Sequence, residues 1–498
     1  METGMLDLIL QFNRQKILVI GDFMLDVYIH GDGNRISPEA PVAVVDVHNT
    51  SRHLGGAGNV AANIASLGAE VCFCSVVGED IFEEQVKPLL SGNNIGAEYL
   101  VHDEKRKTEV KTRVVAQQHT IVRFDSGDKK LISETSEKLL LDLLEEAYQM
   151  CDAVIIADYE KGVITNAVID TIYELQKRNP KFLAIDSKRL AIFKRLKPSL
   201  VKPNYKQAIG LMGAEVSPER IKQVMSISNK LYKKTGASLI AVTLDADGAV
   251  LIEEGKKPIH MPTEPIPNAD VCGAGDTYIS AFTLALVSGA DKLLAANIAG
   301  IAASIVVEKP DTALCEVSEI IERFNGGLKI VDNREILAAL ALQLKKNGKR
   351  IIFTNGCFDI LHCGHTHYLQ EAKALGDVLV VGINTDASIK RLKGSSRPIN
   401  LLEDRMDVLA AFSCIDYIIP FGDAGDQDNP SELIRTIKPN VVVKGEDYKN
   451  KKLPEINVIK EIEAKLVLLP FTYGKSTTNI IRRIQNKPVG NISNLKAL

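Results

Sequence analysis

The sequence predicts an α/β protein made of two parallel-sheet halves. Three observations lead there. Short apolar strands alternate with helical patterns along all 498 residues, the rhythm of repeated βαβ units. Glycine-rich turns stand just before helical patterns, at Leu54–Asn59, Cys272–Asp276 and Asn355–His365. A helix stop at Asn347-Gly348, followed by a fresh apolar strand from Arg350, marks a seam. A chain of this length exceeds one ordinary core, so two or three domains are expected.

Composition narrows the class. Hydrophobic residues make up 45% and charged residues 25%, as in globular proteins, and the net charge is −3. That balance argues against a nucleic-acid or anionic-membrane partner. No run of about 18 apolar residues suggests a membrane span. Met1–Gln15 has neither a basic run nor a cleavage-site pattern, so a cytoplasmic protein is expected. Eight cysteines are scattered without a Cys-x-x-Cys. They read as reduced small hydrophobes, with Cys357 and Cys363 as neighbours of a chemical site rather than nucleophiles.

The elements follow in order. Strands are expected at Ile17–Ile20, Val71–Val76, Ala153–Ala157, Phe182–Ile185, Ile240–Thr243, Ile351–Phe353 and Val378–Val381. Helices are expected at Gly58–Leu67 and Asp276–Val287. Val42–Val47 and Lys111–Phe124 fall outside the alternation and read as a small β lid. His48–His53 reads as polar loop. The domains are expected at 1–328 and 349–498. Between them a helical connector is expected over 329–348, starting at Asp332 or Asn333 as N-cap.

In the first half, Asp22 and Asp26 follow a strand, where carboxylates of open α/β sheets commonly face a ligand and can accept from sugar hydroxyls. Loop carboxylates and caps are the plainer reading. Gly55 and Gly56 let a ligand approach the backbone. Gly56–Ala61 also fits the dinucleotide pattern Gly-x-Gly-x-x-Ala, but without a clear strand before it. Gly273, Ala274 and Gly275 offer bare N–H groups at a helix start, and Asp276 stands where it could take a proton from a hydroxyl. Asp276 alone could be a routine cap.

In the second half, the strand Arg350–Phe353 runs into Thr354-Asn355-Gly356-Cys357-Phe358-Asp359-Ile360-Leu361-His362-Cys363-Gly364-His365. His362 and His365, three apart at the mouth of a helix, can face one way and add hydrogen bonds where the helix dipole favours phosphate. Asp386 follows the next strand. Lys390–Pro398, with Lys393 and Arg397, is either a solvated basic face or a triphosphate clamp. Lys444 closes another strand. Gly474-Lys475-Ser476 is not a Walker A loop, because position 469 is Leu469 rather than glycine. Ser476, Thr477 and Thr478 instead open a short helix whose N–H groups and hydroxyls suit phosphates.

These motifs carry resemblances. The paired glycine stretch and Gly-Ala-Gly-Asp, some two hundred residues apart, resemble the two signatures of the ribokinase-like (PfkB) sugar kinases over residues 1 to about 325. The resemblance implies an α/β/α sandwich with a β lid, Asp276 as base and Gly273–Gly275 as anion hole. It implies sugar-phosphate contacts from Asp22, Asp26, Gly55, Gly56, Asn59 and Lys161. ATP would lie by Asn204, Tyr205, Lys206, Gln207, Thr243, Gly248 and Asn297, with Mg²⁺. Two departures stand out: Gln207 replaces the usual glutamate of Asn-x-x-Glu, and Cys272 replaces a usual threonine.

His-x-Gly-His, spelled His362-Cys363-Gly364-His365, and Ser476-Thr477-Thr478 resemble the Rossmann-like cytidylyltransferase-like nucleotidyltransferases. There Thr354, Asn355, Gly356, Phe358, Asp359, Asp386, Lys393, Arg397, Lys444 and Ser476–Thr478 would hold the nucleotide. The fusion of both halves resembles the family of bifunctional heptose 7-phosphate kinases/heptose 1-phosphate adenylyltransferases. That resemblance implies ATP and heptose phosphates as ligands, ADP-heptose as product and a homodimer through the kinase half. Two other readings fit the motifs: another sugar kinase joined to a CTP-using cytidylyltransferase, or an inactive kinase-like module on an active nucleotidyltransferase.

Overall fold

The computed structural model describes residues 8–9, 11–117, 119–266, 271–324, 329–331, 334–346, 348–422, 428–446 and 453–470. The chain divides into two compact units between Arg323 and Phe324. The N-cap candidates Asp332 and Asn333 lie outside the described residues.

The first unit is built on a nine-stranded sheet and a four-stranded one. Its strands are β1 (Lys16–Gly21), β2 (Phe23–Ile36), β3 (Ala43–Gly56), β4 (Glu70–Gly78), β5 (Leu100–Asp103), β6 (Val110–Ala116), β7 (His119–Ser126), β8 (Ala153–Asp158), β9 (Phe182–Ser187), β10 (Leu200–Val201), β11 (Leu239–Thr243), β12 (Ala249–Glu253) and β13 (Ile259–Met261). The large sheet runs β13-β12-β11-β10-β9-β8-β1-β4-β5, parallel from β11 to β5 and antiparallel at the β12–β13 edge. The near-continuous burial of β1, β4, β8 and β9 is that of strands covered on both faces. Helices Glu134–Met150 and Asn166–Arg178 pack their apolar stripes on this sheet and start at side-chain caps, Ser133 and Thr165.

The small sheet, β3-β2-β6-β7, is the lid. Two expectations needed correction here. Phe23–Ile36 is a long strand, although Asp22 and Asp26 had suggested a loop. The polar His48–His53 lies inside β3, which runs straight into the helix Ala57–Ser66 at Gly56. A lid strand has little core to cover, so its sequence carries no apolar alternation. The strand before Gly56 is antiparallel to β2 and outside the parallel sheet, so the dinucleotide pattern has no βαβ unit around it.

The second unit is a five-stranded parallel sheet of β14 (Ile351–Gly356), β15 (Val378–Asn384), β16 (Tyr417–Phe421), β17 (Val441–Gly445) and β18 (Lys465–Leu469). Its order is β16-β15-β14-β17-β18. Residues 329–348, read as a connector, contribute to this unit. Ile330 bridges Ile418, and the helix Arg334–Lys346 packs on β14 and on the helix Ser431–Ile437. All eight cysteines are free thiols. Among the described residues, no helix is long and apolar enough to cross a membrane.

Gly21 ends β1, an interior strand between β8 and β4. A Cβ there would lie 2.0 Å from the Ala157 carbonyl oxygen and 3.0 Å from Ala57 Cβ. Gly21→Ala is expected to destabilise the protein by about 1–3 kcal/mol, seen as an earlier urea unfolding transition.

Candidate active sites

Strand ends of the large sheet position the first site. The helix Ala274–Val287 begins at Gly273, whose φ of +78° lies in the left-handed region. A side chain there would also meet Asn59 Nδ2 at 2.9 Å. Beside Gly275, a Cβ would sit 3.0 Å from Lys202 Nζ. Lys202 is buried and pairs with Asp186 at 2.8 Å. The bare turn is thus approached by one fixed cation, an arrangement that suits a phosphate.

Asp276 sits in the first turn of that helix. Its Oδ2 accepts from Asn59 Nδ2 at 2.8 Å and its Oδ1 from the Tyr159 hydroxyl at 2.5 Å. Desolvation and the neighbouring Asp186 carboxylate push its pKa up to about 6 against those hydrogen bonds and Lys202. Asn59 Oδ1 accepts from Asn63 Nδ2 at 3.1 Å, and Asn63 Oδ1 from the Thr277 hydroxyl at 2.8 Å. This chain locks the helix Ala57–Ser66 to the Asp276 helix.

The other residues expected at the sugar and ATP divide by environment. Asp22 is fully buried, and its carboxylate accepts the backbone N–H of Tyr159 (2.8 Å), Lys161 (3.1 Å) and Val163 (3.0 Å). It anchors a loop, where a sugar contact was expected. Asp26 accepts from Arg113 Nη1 at 2.7 Å and lies against Gly55. Gly56 has a φ of +57°. Lys161 pairs with buried Glu109.

Tyr205 is also a correction. It is buried, and its hydroxyl accepts from Ser217 N–H at 2.7 Å, so it belongs to the core. Asn204 and Gln207 form a capping box on the helix Tyr205–Met212: Gln207 N–H donates to Asn204 Oδ1 at 2.9 Å, and Asn204 N–H to Gln207 Oε1 at 2.7 Å. Lys206 and Asn297 are exposed, while Thr243 bridges Asn204. Gly248 has a φ of +80° and passes close to the Met261 carbonyl.

The second site forms where β14 passes into the helix Cys363–Lys373. His362 takes the N-cap position, and its ring stacks on His365 with centroids 4.0 Å apart. Phe358, with a φ of +45°, flanks His365 at 5.4 Å. Burial, then His362 and Lys393, lower the His365 pKa to about 4. Lys444 Nζ donates to Asn355 Oδ1 at 2.6 Å and pairs with Glu455. Gly356 packs against the Phe358 ring.

Two expected nucleotide contacts are internal instead. Thr354 is fully buried, bonded to Tyr368 at 2.7 Å and to the Val443 carbonyl at 3.0 Å. Asp359 is buried, accepts from Ile399 N–H at 2.7 Å and Asn400 N–H at 3.1 Å, and pairs with Arg397. Ser476, Thr477 and Thr478 lie outside the described residues, as do Asp270 and Tyr448.

Sequence reasoning missed Arg405. This buried guanidinium donates to the Cys357 carbonyl at 2.6 Å, the Asn400 carbonyl at 3.1 Å and Asp386 Oδ1 at 2.8 Å. It joins three segments of the site. An arginine on the helix Leu402–Ala410 reads as solvated, and no motif signals otherwise. Tyr159 and Lys202, two residues from Lys161 and Asn204 respectively, were given no part.

Comparison with known proteins identifies the family of the chain. Residues 14–319 match the model of the pfkB family carbohydrate kinases, and residues 353–483 the cytidylyltransferase-like model. A bifunctional protein HldE of Wolinella succinogenes is 38% identical over 478 residues, covering 95% of this chain and 98% of that protein. One of Helicobacter pylori strain J99 is 40% identical over 473 residues, covering 95% and 99%. Phosphofructokinase-2 from Escherichia coli superposes with a TM-score of 0.50 at 20% identity, over 61% of this chain and 96% of that one, which speaks to the fold of the first unit. A carbohydrate kinase and a nucleotidyltransferase are therefore joined in one polypeptide, and the chain belongs to the bifunctional HldE proteins.

Proposed function

We propose that this enzyme carries out two separate steps of ADP-heptose synthesis. In the first unit, ATP phosphorylates D-glycero-D-manno-heptose 7-phosphate at O1. In the second, AMP passes from ATP to heptose 1-phosphate, giving ADP-heptose and pyrophosphate. The observation that carries the kinase reading is Asp276, held by Asn59 and Tyr159 beside the Gly273–Gly275 turn and Lys202. Heptose and ATP rest on the likeness to the bifunctional family.

For the kinase, the sugar O1 attacks the γ-phosphorus of ATP. The O1–P bond forms, the bond to the bridging oxygen breaks, ADP leaves, and the O1 proton passes to Asp276. The backbone N–H groups of Gly273, Ala274 and Gly275, with Lys202, would hold the transferring phosphoryl oxygens. Magnesium enters as part of the ATP substrate.

For the nucleotidyltransferase, a sugar-phosphate oxygen attacks the α-phosphorus of ATP and magnesium pyrophosphate leaves. His362 and His365 at the helix mouth would hydrogen-bond the phosphate oxygens, and no covalent enzyme intermediate is needed. ATP and sugar phosphates as substrates assign the enzyme to the cytoplasm.

The lid supports a homodimer. Every residue of its edge strand β7 is exposed, including Ile121, Val122 and Phe124, and Ile36 on β2 and Val47 on β3 are exposed on the same sheet. An apolar sheet edge in water calls for a cover, and a second copy of the same lid supplies one.

Five outcomes test these readings. With ATP, Mg²⁺ and the heptose 7-phosphate, mass spectrometry should find a heptose bisphosphate. Asp276→Asn should lower that rate by about 10²–10⁴-fold and leave pyrophosphate release from ATP and heptose 1-phosphate unchanged. His362→Ala and His365→Ala should do the reverse. Only ionised Asp276 can accept a proton, so kinase kcat/KM should level off above pH about 6 and fall about tenfold per unit below it. Light scattering should find a dimer that Phe124→Glu with Val122→Lys converts to a monomer.

A further inference from the structure

The loop after β8 brings an aromatic hydroxyl to the carboxylate that the kinase uses. Asp22 ties down the N–H groups of Tyr159, Lys161 and Val163, and Glu160 between them turns with a φ of +60°. The loop base is thereby fixed, and the Tyr159 ring reaches across to Asp276 Oδ1. Asn59 takes the other carboxylate oxygen. Each oxygen keeps a second lone pair for a substrate hydroxyl.

We propose that Tyr159 is a positioning residue of the kinase reaction, its hydroxyl setting the plane of the Asp276 carboxylate and stabilising it as the proton acceptor. The proposal rests on the reading of Asp276 as base. Besides burial and Tyr159, three groups act on that carboxylate: Asp186 from β9, Asn59 from the helix Ala57–Ser66 and Lys202 beyond β10. Desolvation and Asp186 favour the protonated form. Tyr159, Asn59 and Lys202 favour the ionised form. The result is a base poised near 6, close to neutrality. Without the tyrosine hydroxyl the balance moves toward the protonated acid, which cannot take a proton from the sugar.

Tyr159 does not act as a base itself. Burial, then the charges of Asp276, Asp186 and Asp22, hold its phenol well above the usual range, so it stays a donor. A tyrosine that merely fills space would leave the titration of Asp276 where it is.

The test uses the full chain and Tyr159→Phe. In kinase assays the acid limb of kcat/KM should move up by about one pH unit, with much of the rate recovered at alkaline pH. A rate that falls equally at every pH, with the limb unmoved, would overturn the proposal. A second readout needs no substrate. The infrared carboxylic-acid band that Asp276→Asn removes should appear at higher pH in Tyr159→Phe than in the parent. If the parent phosphorylates no heptose 7-phosphate, the functional reading fails, while this titration still decides on Tyr159. Should the phenylalanine variant fail to fold, 3-fluorotyrosine at position 159, a stronger donor of the same shape, should move the band to lower pH. An unmoved band there overturns the proposal as well.

Discussion

The first active site depends on one buried carboxylate. Asp22 stands at the end of β1 without solvent contact, and three backbone N–H groups of the loop 159–163 converge on it. Burying a carboxylate is costly, and the three donors offset only part of that cost: burial still holds the Asp22 pKa above the usual carboxylate value. The same three bonds give the loop its shape. From that loop Tyr159 reaches Asp276, and the Lys161 carbonyl accepts from Arg106. An interaction that looks purely structural therefore fixes where the proposed base finds its partner.

The second site meets a different demand with different groups. A sugar hydroxyl must lose its proton as it attacks, so the kinase needs a carboxylate whose affinity for protons is tuned. The proposed sugar-phosphate substrate arrives already ionised and needs no proton acceptor, only alignment and donors to its oxygens. Stacked imidazoles fit that need. Burial keeps His365 neutral down to about pH 4, so it offers one N–H to an oxygen without placing a full charge in the ligand-free site. Arg405 plays the part here that Asp22 plays in the first unit, holding the segments around Cys357, Asp386 and Asn400 from beneath. In both sites a buried charge organises loops, and the groups proposed for chemistry lie one layer above.

That layering explains which parts were legible in the sequence. Strands such as β1, β8 and β15 are apolar on both faces, and a run of Val and Ile announces them. The glycine turns announce themselves too, because Gly273 needs a positive φ. The lid strand β2 was missed because its buried first half, Phe23–Tyr28, carries Asp26, and its second half is polar and broken by Gly31 and Gly33. Spacing also cannot say whether a carboxylate's lone pairs are already taken. Asp22 and Asp359 stand at strand ends like ligand contacts, yet backbone N–H groups occupy both. Thr354 and Tyr205 were read outward from motifs that fold inward.

The two departures from the kinase pattern fall where the structure can absorb them. At the N3 position of the helix Tyr205–Met212, Gln207 Oε1 accepts the Asn204 N–H as a carboxylate oxygen would, so the capping box survives the loss of charge. A neutral amide also adds no repulsion toward a triphosphate near Lys202. At Cys272, the Tyr28 hydroxyl lies 3.3 Å from Sγ, a weak acceptor, but 2.9 Å from Thr312 Oγ1. The Thr312 contact keeps β2 tied to the loop after the helix Lys292–Val306 whatever residue stands at 272. Neither change touches Asp276, Asn59 or Tyr159. The departures therefore bear on the segment proposed for the nucleotide, and leave the proposed base and its two donors as they are.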